Sequence, residues 1–174
     1  MVTYPWFAPL LWVVFIVTLI WFVSVVGPFF TGAPWVPMPV AKARRMLQLA
    51  GVCPGETVYD LGSGDGRVLL LAAREFGAQA VGVEIDPLRA TLSQIVIRVL
   101  GLRQRARVIR ANLFEVDLRD ADVITVYLLP KANVRLVPKL RRELKPGARI
   151  VALTFCMPDW EPTVWAEDIY VYRL

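Results

Sequence analysis

The stretch VYDLGSGDGR, residues 58–67, decides the fold of this chain. A short apolar run reaches Asp60, three glycines follow at the spacing GxGxG, and an apolar helical pattern begins at Arg67. Glycine permits the tight turn of a strand-to-helix connection and lets a ligand approach the backbone closely. The stretch therefore predicts a strand, a ligand-binding loop and a helix N-terminus whose free N–H groups face the ligand.

Strand and helix patterns alternate on both sides of this loop, through residues 40–174. Because repeated strand–helix units connect parallel strands, we expect an α/β fold with a doubly wound, mainly parallel, Rossmann-like sheet. Helices are predicted at 40–50, 67–76, 87–100 and 134–144, and strands at 56–61, 80–84, 106–110, 123–127, 149–155 and 170–173.

The first 41 residues carry no charged side chain. About 20 apolar residues after Trp6 match the hydrocarbon thickness of a bilayer, and Gly27-Pro28 suits a helix end. We predict one transmembrane helix within residues 1–27, a proline-rich linker at 28–39, and a globular domain at 40–174. A cleaved signal peptide or a buried core helix stay open as alternatives.

The charges beside this segment predict its orientation. Lys42, Arg44 and Arg45 follow the apolar run, and no charge precedes it. By the positive-inside rule the protein is a single-pass protein of the cell membrane with a cytoplasmic domain.

Composition excludes several kinds of site. Histidine is absent, which removes histidine metal sites and histidine-based nucleophilic catalysis. Cys53 and Cys156 have no metal-ligand spacing, so no metal site is expected and both are predicted to be small buried residues. The net charge of +5 is that of an ordinary solvated surface, and it would also suit an anionic membrane, an acidic partner or nucleic acid.

The GxGxG spacing differs from the dinucleotide fingerprint GxGxxG, in which a helix N-terminus meets a pyrophosphate. The shorter spacing after an acid is typical of sites for S-adenosylmethionine, whose sulfonium and ammonium groups Asp60 and Asp65 can face. At the end of the second strand, Glu84 can bind both ribose hydroxyls. Asn112 can address adenine, and Leu113 and Phe114 can enclose the ring.

With these residues in place, the chain resembles class I S-adenosylmethionine-dependent methyltransferases. More narrowly it resembles the small protein-lysine N-methyltransferases, a group with a broad-specificity archaeal enzyme and mitochondrial enzymes that modify the ATP synthase c subunit and the adenine nucleotide translocase. The resemblance rests on PWVPMP (34–39), YDLGSGDGR (59–67), VGVE (81–84), NLF (112–114), TVYLLP (125–130), LKPG (144–147) and WEP (160–162).

The resemblance implies a seven-stranded methyltransferase sheet in the domain at 40–174 and S-adenosylmethionine as cofactor, with the linker at 28–39 covering the cofactor. The family usually has Thr or Ser near Met38 or Pro39, and both positions are apolar here, which argues against a hydroxyl contact to the methionine end. The implied cofactor-binding residues are Trp35, Pro37, Tyr59, Asp60, Gly62, Ser63, Gly64, Asp65, Gly66, Glu84, Ile85, Asn112, Leu113 and Phe114.

Methyl transfer is an in-line displacement in which the protein mainly aligns the reactants. Tyr127 ends the fourth predicted strand and is the candidate catalytic residue, because its hydroxyl could orient an acceptor amine. A narrow mouth is expected around Tyr127, Leu128, Trp35 and Trp160. Simple packing of Tyr127 at a strand end, and interfacial anchoring of Trp35, stay open.

The favoured partners are a protein with an accessible lysine, for which a membrane protein is one option, and the bilayer itself. A lipid, isoprenoid or other small-molecule methyltransferase is the alternative, and a binding module without activity is more remote. Nucleic acid is not expected, because enzymes that methylate base amines commonly carry Asp/Asn-Pro-Pro-aromatic where this chain has VYLLP, residues 126–130.

Overall fold

The computed structural model describes residues 7–31 and 36–174. The chain divides into two compact units, Met1–Trp35 and Val36–Leu174. Within the first unit, α1 (Phe7–Thr31) continues through Gly27 and Pro28, so it ends later than predicted. The side chains described in α1, residues 8–19 and 22, are all exposed.

The predicted transmembrane helix is not confirmed. Over the described residues, no helix combines the length and the apolarity that crossing a membrane requires.

The second unit contains four helices and seven strands among residues 36–174. Most lie within two residues of their predicted bounds. These elements are α2 (Val40–Leu49), β1 (Thr57–Leu61), α3 (Arg67–Glu75), β2 (Gln79–Glu84), α4 (Pro87–Val99), β3 (Ala106–Arg110), β4 (Val123–Val126), α5 (Pro130–Glu143), β5 (Arg149–Leu153), β6 (Val164–Ala166) and β7 (Ile169–Arg173).

All seven strands join one sheet in the order β3-β2-β1-β4-β5-β7-β6. The strands β1 to β5 are parallel, whereas β7 is antiparallel to β5 and β6 is antiparallel to β7. This arrangement confirms the expected seven-stranded α/β sheet. The strand order reverses between β1 and β4, and such a reversal opens a crevice at the carboxyl ends of the strands.

Two elements differ from the sequence prediction. The strand β6 was not predicted, because it has only three residues and two of them are exposed. The helix α5 begins at Pro130, four residues early, because proline is well suited to the first turn of a helix.

Helices cover both faces of the sheet. One core cluster joins buried residues of α2, α3 and α4 to the strands, including Met46, Leu69 and Ile97. The helix α5 buries Leu136 and Leu140 outside that cluster. The connection from β1 to β2 moves toward one side edge of the sheet, and the connection from β4 to β5 moves toward the other. Because both crossovers are right-handed, α5 packs on the face opposite to α3.

The prediction that both cysteines are buried is wrong. Cys53 and Cys156 are free and exposed rather than buried. Each lies in a loop beside the sheet instead of on the apolar face of a helix or strand.

Candidate active site

The glycine loop connects β1 to α3 at the crevice. Its three glycines, Gly62, Gly64 and Gly66, have φ values of 88°, 53° and 80°, which favour glycine strongly. The backbone N–H groups of Gly62 and Ser63 both donate to the Val83 carbonyl, at 2.8 and 3.1 Å. The loop is therefore held against the end of β2.

Two residues outside the loop hold it in place, and neither was predicted as a site residue. A Cβ atom at Gly82 of β2 would lie 2.6 Å from the Ser63 Oγ, so only glycine lets the loop approach this strand. The buried Ser93 hydroxyl of α4 donates to the Gly64 carbonyl at 2.8 Å. The loop thus depends on both the strand beneath it and the helix beside it.

Asp60 at the end of β1 is buried and accepts a 2.6 Å hydrogen bond from the Thr125 hydroxyl of β4. Burial raises the pKa of Asp60 to about 7, and the charges of Glu84 and Asp65 add to that rise, although the Thr125 hydrogen bond opposes it. A cation bound next to this carboxylate would stabilise its ionised form.

Glu84 lies where the sequence predicted, at the carboxyl end of β2. It is buried, and its two carboxylate oxygens accept from the backbone N–H groups of Gly64, at 2.8 Å, and Asp86, at 2.9 Å. Because each carboxylate oxygen can accept a second hydrogen bond, both remain able to bind a ribose hydroxyl. The bond to Gly64 also fixes the carboxylate beside the glycine loop.

Arg67 neutralises Asp65 and holds the segment before α2. Its guanidinium donates to both carboxylate oxygens of Asp65 and to the Met38 carbonyl. Burial opposes ionisation of Asp65, but its hydrogen bonds with Arg67 leave its pKa lowered. Asp65 is therefore already paired, and Asp60 and Glu84 are the carboxylates left to face a cationic ligand.

The predicted covering segment is only partly described. Pro37 is exposed next to the buried Met38, and Trp35 lies outside the described residues.

The adenine side of the crevice is apolar. Ile85, next to Glu84, is exposed, and Leu113 and Phe114 are half-buried. The Asn112 side chain closes a local turn, accepting from the Phe114 N–H and donating to Glu115. These residues follow β2 and β3 at the same sheet edge, as predicted.

Tyr59 is placed differently from its predicted role. Burial raises the pKa of its phenol to about 12, and the nearby Asp120 adds to the rise. Successive side chains of a strand point to opposite faces, so Tyr59 points away from its neighbour Asp60. Tyr59 supports the sheet rather than the cofactor crevice.

Tyr127 lies directly after β4, half-buried and packed against the core cluster. Lys42, in α2, donates to both carboxylate oxygens of Asp168, at 2.6 and 2.5 Å. This hydrogen bond raises the Lys42 pKa, and the nearby Glu167 and Tyr127 add to the rise. Asp168 lies at the carboxyl edge of the sheet, because the next residue, Ile169, pairs with Leu153, the last residue of β5.

Of the residues predicted to line the mouth of the site, Leu128 lies near the glycine loop and Trp160 does not. Leu128 lies against the glycine loop, 3.3 Å from the position of a Cβ atom on Gly62. Trp160 packs instead on Tyr172 and Arg141. Tyr172 pairs with Ile150, near the amino end of β5, so Trp160 lies away from the mouth.

S-adenosylmethionine fits this set of residues. Two carboxylates without a cationic partner in the described structure, Asp60 and Glu84, face the glycine loop, and the cofactor carries an ammonium and a sulfonium. The buried Ser63 hydroxyl also has no hydrogen-bond partner among the described residues. The chain thus offers acceptors for the cationic end and the ribose, and an apolar surface for the adenine.

Comparison with known proteins agrees with this site. A family model described as the ANTKMT methyltransferase domain matches residues 60–164. The protein-lysine N-methyltransferase of Saccharolobus islandicus is 45% identical over 148 residues, covering 80% of this chain and 92% of the relative. The Xenopus laevis lysine N-methyltransferase of the ATP synthase c subunit is 30% identical over 171 residues, covering 90% of this chain and 75% of the relative.

A solved structure is also similar. It is that of an RNA methyltransferase from Salinibacter ruber in complex with S-adenosyl-L-homocysteine, with 41% identity and a TM-score of 0.74. The match covers 79% of this chain and 92% of that chain. The matched family region, residues 60–164, includes Asp60, the glycine loop, Glu84 and Tyr127. The chain therefore belongs to the ANTKMT methyltransferase domain family and is an S-adenosylmethionine-dependent methyltransferase.

Proposed function

We propose that this enzyme transfers methyl groups to lysine side chains of proteins. The observation that carries the proposal is the 45% identity with a protein-lysine N-methyltransferase that the chain covers over 92% of its length. The relative named for lysine methylation of the ATP synthase c subunit points to the same kind of acceptor.

The acceptor side of the crevice suits a lysine amine. The Asp168 carboxylate at this edge of the sheet already binds one ammonium, that of Lys42. Asp168 and the neighbouring Glu167 would attract a substrate ammonium to this edge. The amine must lose its proton before it attacks, and the Tyr127 hydroxyl would then orient its lone pair.

S-adenosylmethionine, when bound, supplies the activated methyl group. The chain's own contribution is alignment: Glu84 holds the ribose, Asp60 faces the cationic end, and Tyr127 orients the acceptor.

The acceptor is tested by mapping the label from methyl-labelled S-adenosylmethionine. The full chain is incubated separately with host membrane proteins, total RNA and extracted lipids, and labelled protein is digested to locate methylated residues. We expect label on lysine and its loss with Glu84→Ala. The matched control is Glu75→Ala, which removes a surface ion pair with Arg44 at the far end of α3. Label confined to lipid would refute the lysine proposal.

RNA is the second candidate acceptor. One observation favours it, namely the 41% identity with a structure named an RNA methyltransferase. The sequence VYLLP after Thr125 lacks the Asp/Asn-Pro-Pro-aromatic motif of enzymes that methylate base amines. Label in RNA that depends on Glu84, with none in protein, would establish this alternative.

We also propose that α1 attaches the enzyme to the cell membrane as a single-pass anchor with the catalytic domain in the cytoplasm. The support is the sequence of α1, which has 25 residues and no charge. The Thr18 hydroxyl donates to the Val14 carbonyl at 2.8 Å, so it needs no water.

Charged substitutions test the attachment. Val14→Arg combined with Val17→Arg puts two charges in α1, each costing roughly 3 kcal/mol in a membrane interior. We expect the native chain to remain in the membrane pellet after alkaline carbonate extraction and the double variant to enter the supernatant. Val134→Arg, on the exposed side of α5, is the matched control. A native chain that carbonate extracts completely would contradict the anchor.

A further inference from the structure

The helix α4 carries an exposed aliphatic stripe beside the exposed polar residues Thr91, Gln94 and Arg98. Toward the sheet, α4 buries Ala90, Ser93 and Ile97. On its other side, large aliphatic side chains recur at spacings of three and four, which aligns them in one stripe. Contiguous exposed apolar surface of this kind usually marks an interaction site. The exposed residues are Leu88, Leu92, Ile95, Val96, Val99 and, just after the helix, Leu100.

Positive charge accompanies this stripe. Residues 87–110 contain six arginines and no acidic residue. Arg98, Arg103 and Arg105 are exposed, and none of the three takes part in an ion pair among the described residues. Arg103 and Arg105 also line, with Arg107 and a single carboxylate, Asp120, a pocket of about 170 Å³ at the amino ends of β2 and β3. Anionic groups are therefore the complement of this region.

We propose that α4 and the loop after it, residues 87–107, bind the surface of an anionic membrane. The aliphatic stripe would enter the boundary between headgroups and acyl chains, and the arginines would contact lipid phosphates. We refer to these residues as the α4 surface. The proposal goes beyond attachment by α1, because a tether alone does not orient the domain that it carries.

The composition of the α4 surface favours lipid over nucleic acid. Residues 87–110 include no aromatic side chain, whereas proteins that bind single strands stack bases on aromatic rings. Six exposed aliphatic side chains would gain nothing from a phosphate backbone. Lipid matches both the apolar stripe and the charges.

A second copy of the chain matches less well. In a two-fold contact the same patch meets itself, so the arginines of one copy would face those of the other. Like charges brought together in this way oppose association. A bilayer with anionic lipids has no such conflict.

The α4 surface begins beside the cofactor crevice. Leu88 lies in the first turn of α4, two residues after Asp86, whose N–H donates to Glu84. A domain lying on its α4 surface would therefore hold the entrance of the active site close to the headgroups. Lysines near a membrane surface would be the acceptors most easily reached.

Fluorescence in lipid nanodiscs tests the proposal with the full chain. An environment-sensitive label is attached at Ile95→Cys, with Cys53→Ser and Cys156→Ser removing the two exposed native thiols. In discs that contain phosphatidylglycerol, we expect a blue shift and quenching by nitroxide lipids. Discs of phosphatidylcholine alone should give little of either. A label at Val134→Cys, on the opposite face of the sheet, is the matched control and should stay in water.

Neutralising the arginines separates the contribution of their charge to lipid binding from that of the aliphatic stripe. Each basic residue near an anionic surface contributes roughly fivefold to binding, so Arg98→Gln, Arg103→Gln and Arg105→Gln together should lower the ratio of docked to undocked label by roughly 10²-fold. If α1 does not hold the chain in discs, the same label is read while free vesicles of the same lipids are added. The α4 result is then independent of the anchor.

Three results would overturn the proposal. A label that stays in water in anionic discs would show that lipid does not bind there. Equal shielding in neutral and anionic discs would mean that another occupant, such as α1 or a second copy, covers the stripe. Shielding that appears only when RNA is added would assign the surface to nucleic acid.

Discussion

Binding of S-adenosylmethionine should release a proton from Asp60. The carboxyl has a pKa of about 7 in the folded chain because it is buried near Glu84 and Asp65. A cationic ligand against Asp60 favours the ionised form, so protonated enzyme must lose a proton to bind. At pH 6 about one-tenth of a group with that pKa is ionised, and at pH 8 about nine-tenths. The affinity should therefore be about tenfold higher at pH 8 than at pH 6.

Isothermal titration calorimetry measures this linkage directly. At pH 7, in buffers with different ionisation enthalpies, about half a proton should be released per cofactor bound. Asp60→Asn keeps an oxygen that can accept from the Thr125 hydroxyl but cannot ionise, so it should release none. The exposed Asp117→Asn is the control, since Asp117 interacts with Arg119 at the surface, through an ion pair and a hydrogen bond from the Arg119 backbone N–H. Equal proton release from the native chain and Asp60→Asn would refute the assignment.

The same pKa predicts the stability of the cofactor-free chain. Because the folded pKa of Asp60 lies above its unfolded value, the folded chain binds the extra proton, and stability rises as pH falls from 7 to 5. The gain over this window is about 2 kcal/mol. Carboxyls with lowered pKa values, such as Glu143, stay ionised there and do not mask it. Asp60→Asn should remove the gain in denaturant titrations.

Three further substitutions have defined outcomes. Gly82→Ala should destabilise the fold by roughly 1–3 kcal/mol, because the new methyl group overlaps Ser63 and Leu69; a denaturation midpoint equal to that of the native chain would contradict the close approach. Tyr127→Phe should lower the kcat of methyl transfer roughly 10²-fold, while calorimetry should find the cofactor affinity unchanged. A kcat equal to that of the native chain would mean that Tyr127 only packs at the end of its strand. Glu143→Ala removes the ion-pair partner of the buried Lys139 ammonium, which lies 2.6 Å away, and should lower the free energy of unfolding by about 3–5 kcal/mol in chemical denaturation. The double variant Glu143→Ala with Lys139→Met should recover much of this loss. Equal stability of the single and the double variant would rule out the ion-pair explanation.

The elements that could be predicted from sequence are those with a local signal. The predicted strand 106–110 coincides with β3 (Ala106–Arg110), because an apolar alternation bounded by turn residues is visible without knowing its partners. The glycine loop and Glu84 could be predicted for a similar reason. Glycine spacing and an acid at the end of a strand are defined by a few neighbouring residues.

The residues that were missed depend on contacts distant in sequence. Thr125 becomes the partner of Asp60 only because β1 and β4 pair in a register that puts these two side by side. Ser93 resembles any small helical residue until α4 packs beside the glycine loop. Tyr59 was grouped with Asp60 by its place in the motif, although the alternation of side chains along a strand puts the two on opposite faces.

The exposed stripe of α4 was missed for another reason. On its exposed side this helix carries an aliphatic stripe beside the polar residues Thr91, Gln94 and Arg98, and its buried side includes Ser93. The sequence alone therefore does not show which face packs on the sheet. The orientation of α4 against the sheet determines which aliphatic residues remain outside. Exposure of this kind is a property of the packed domain, not of the helix alone.

The hydrogen bond from Ser93 to the Gly64 carbonyl gives α4 a thermodynamic connection to the cofactor. One side of this helix holds the glycine loop, and the other carries the α4 surface. If lipid contact changes cofactor affinity through α4, reciprocity requires the cofactor to change lipid affinity by the same factor. Vesicle titrations with and without S-adenosylmethionine would measure that coupling free energy, and Ser93→Ala should reduce it. Such coupling would make the enzyme bind its methyl donor best where its substrates are.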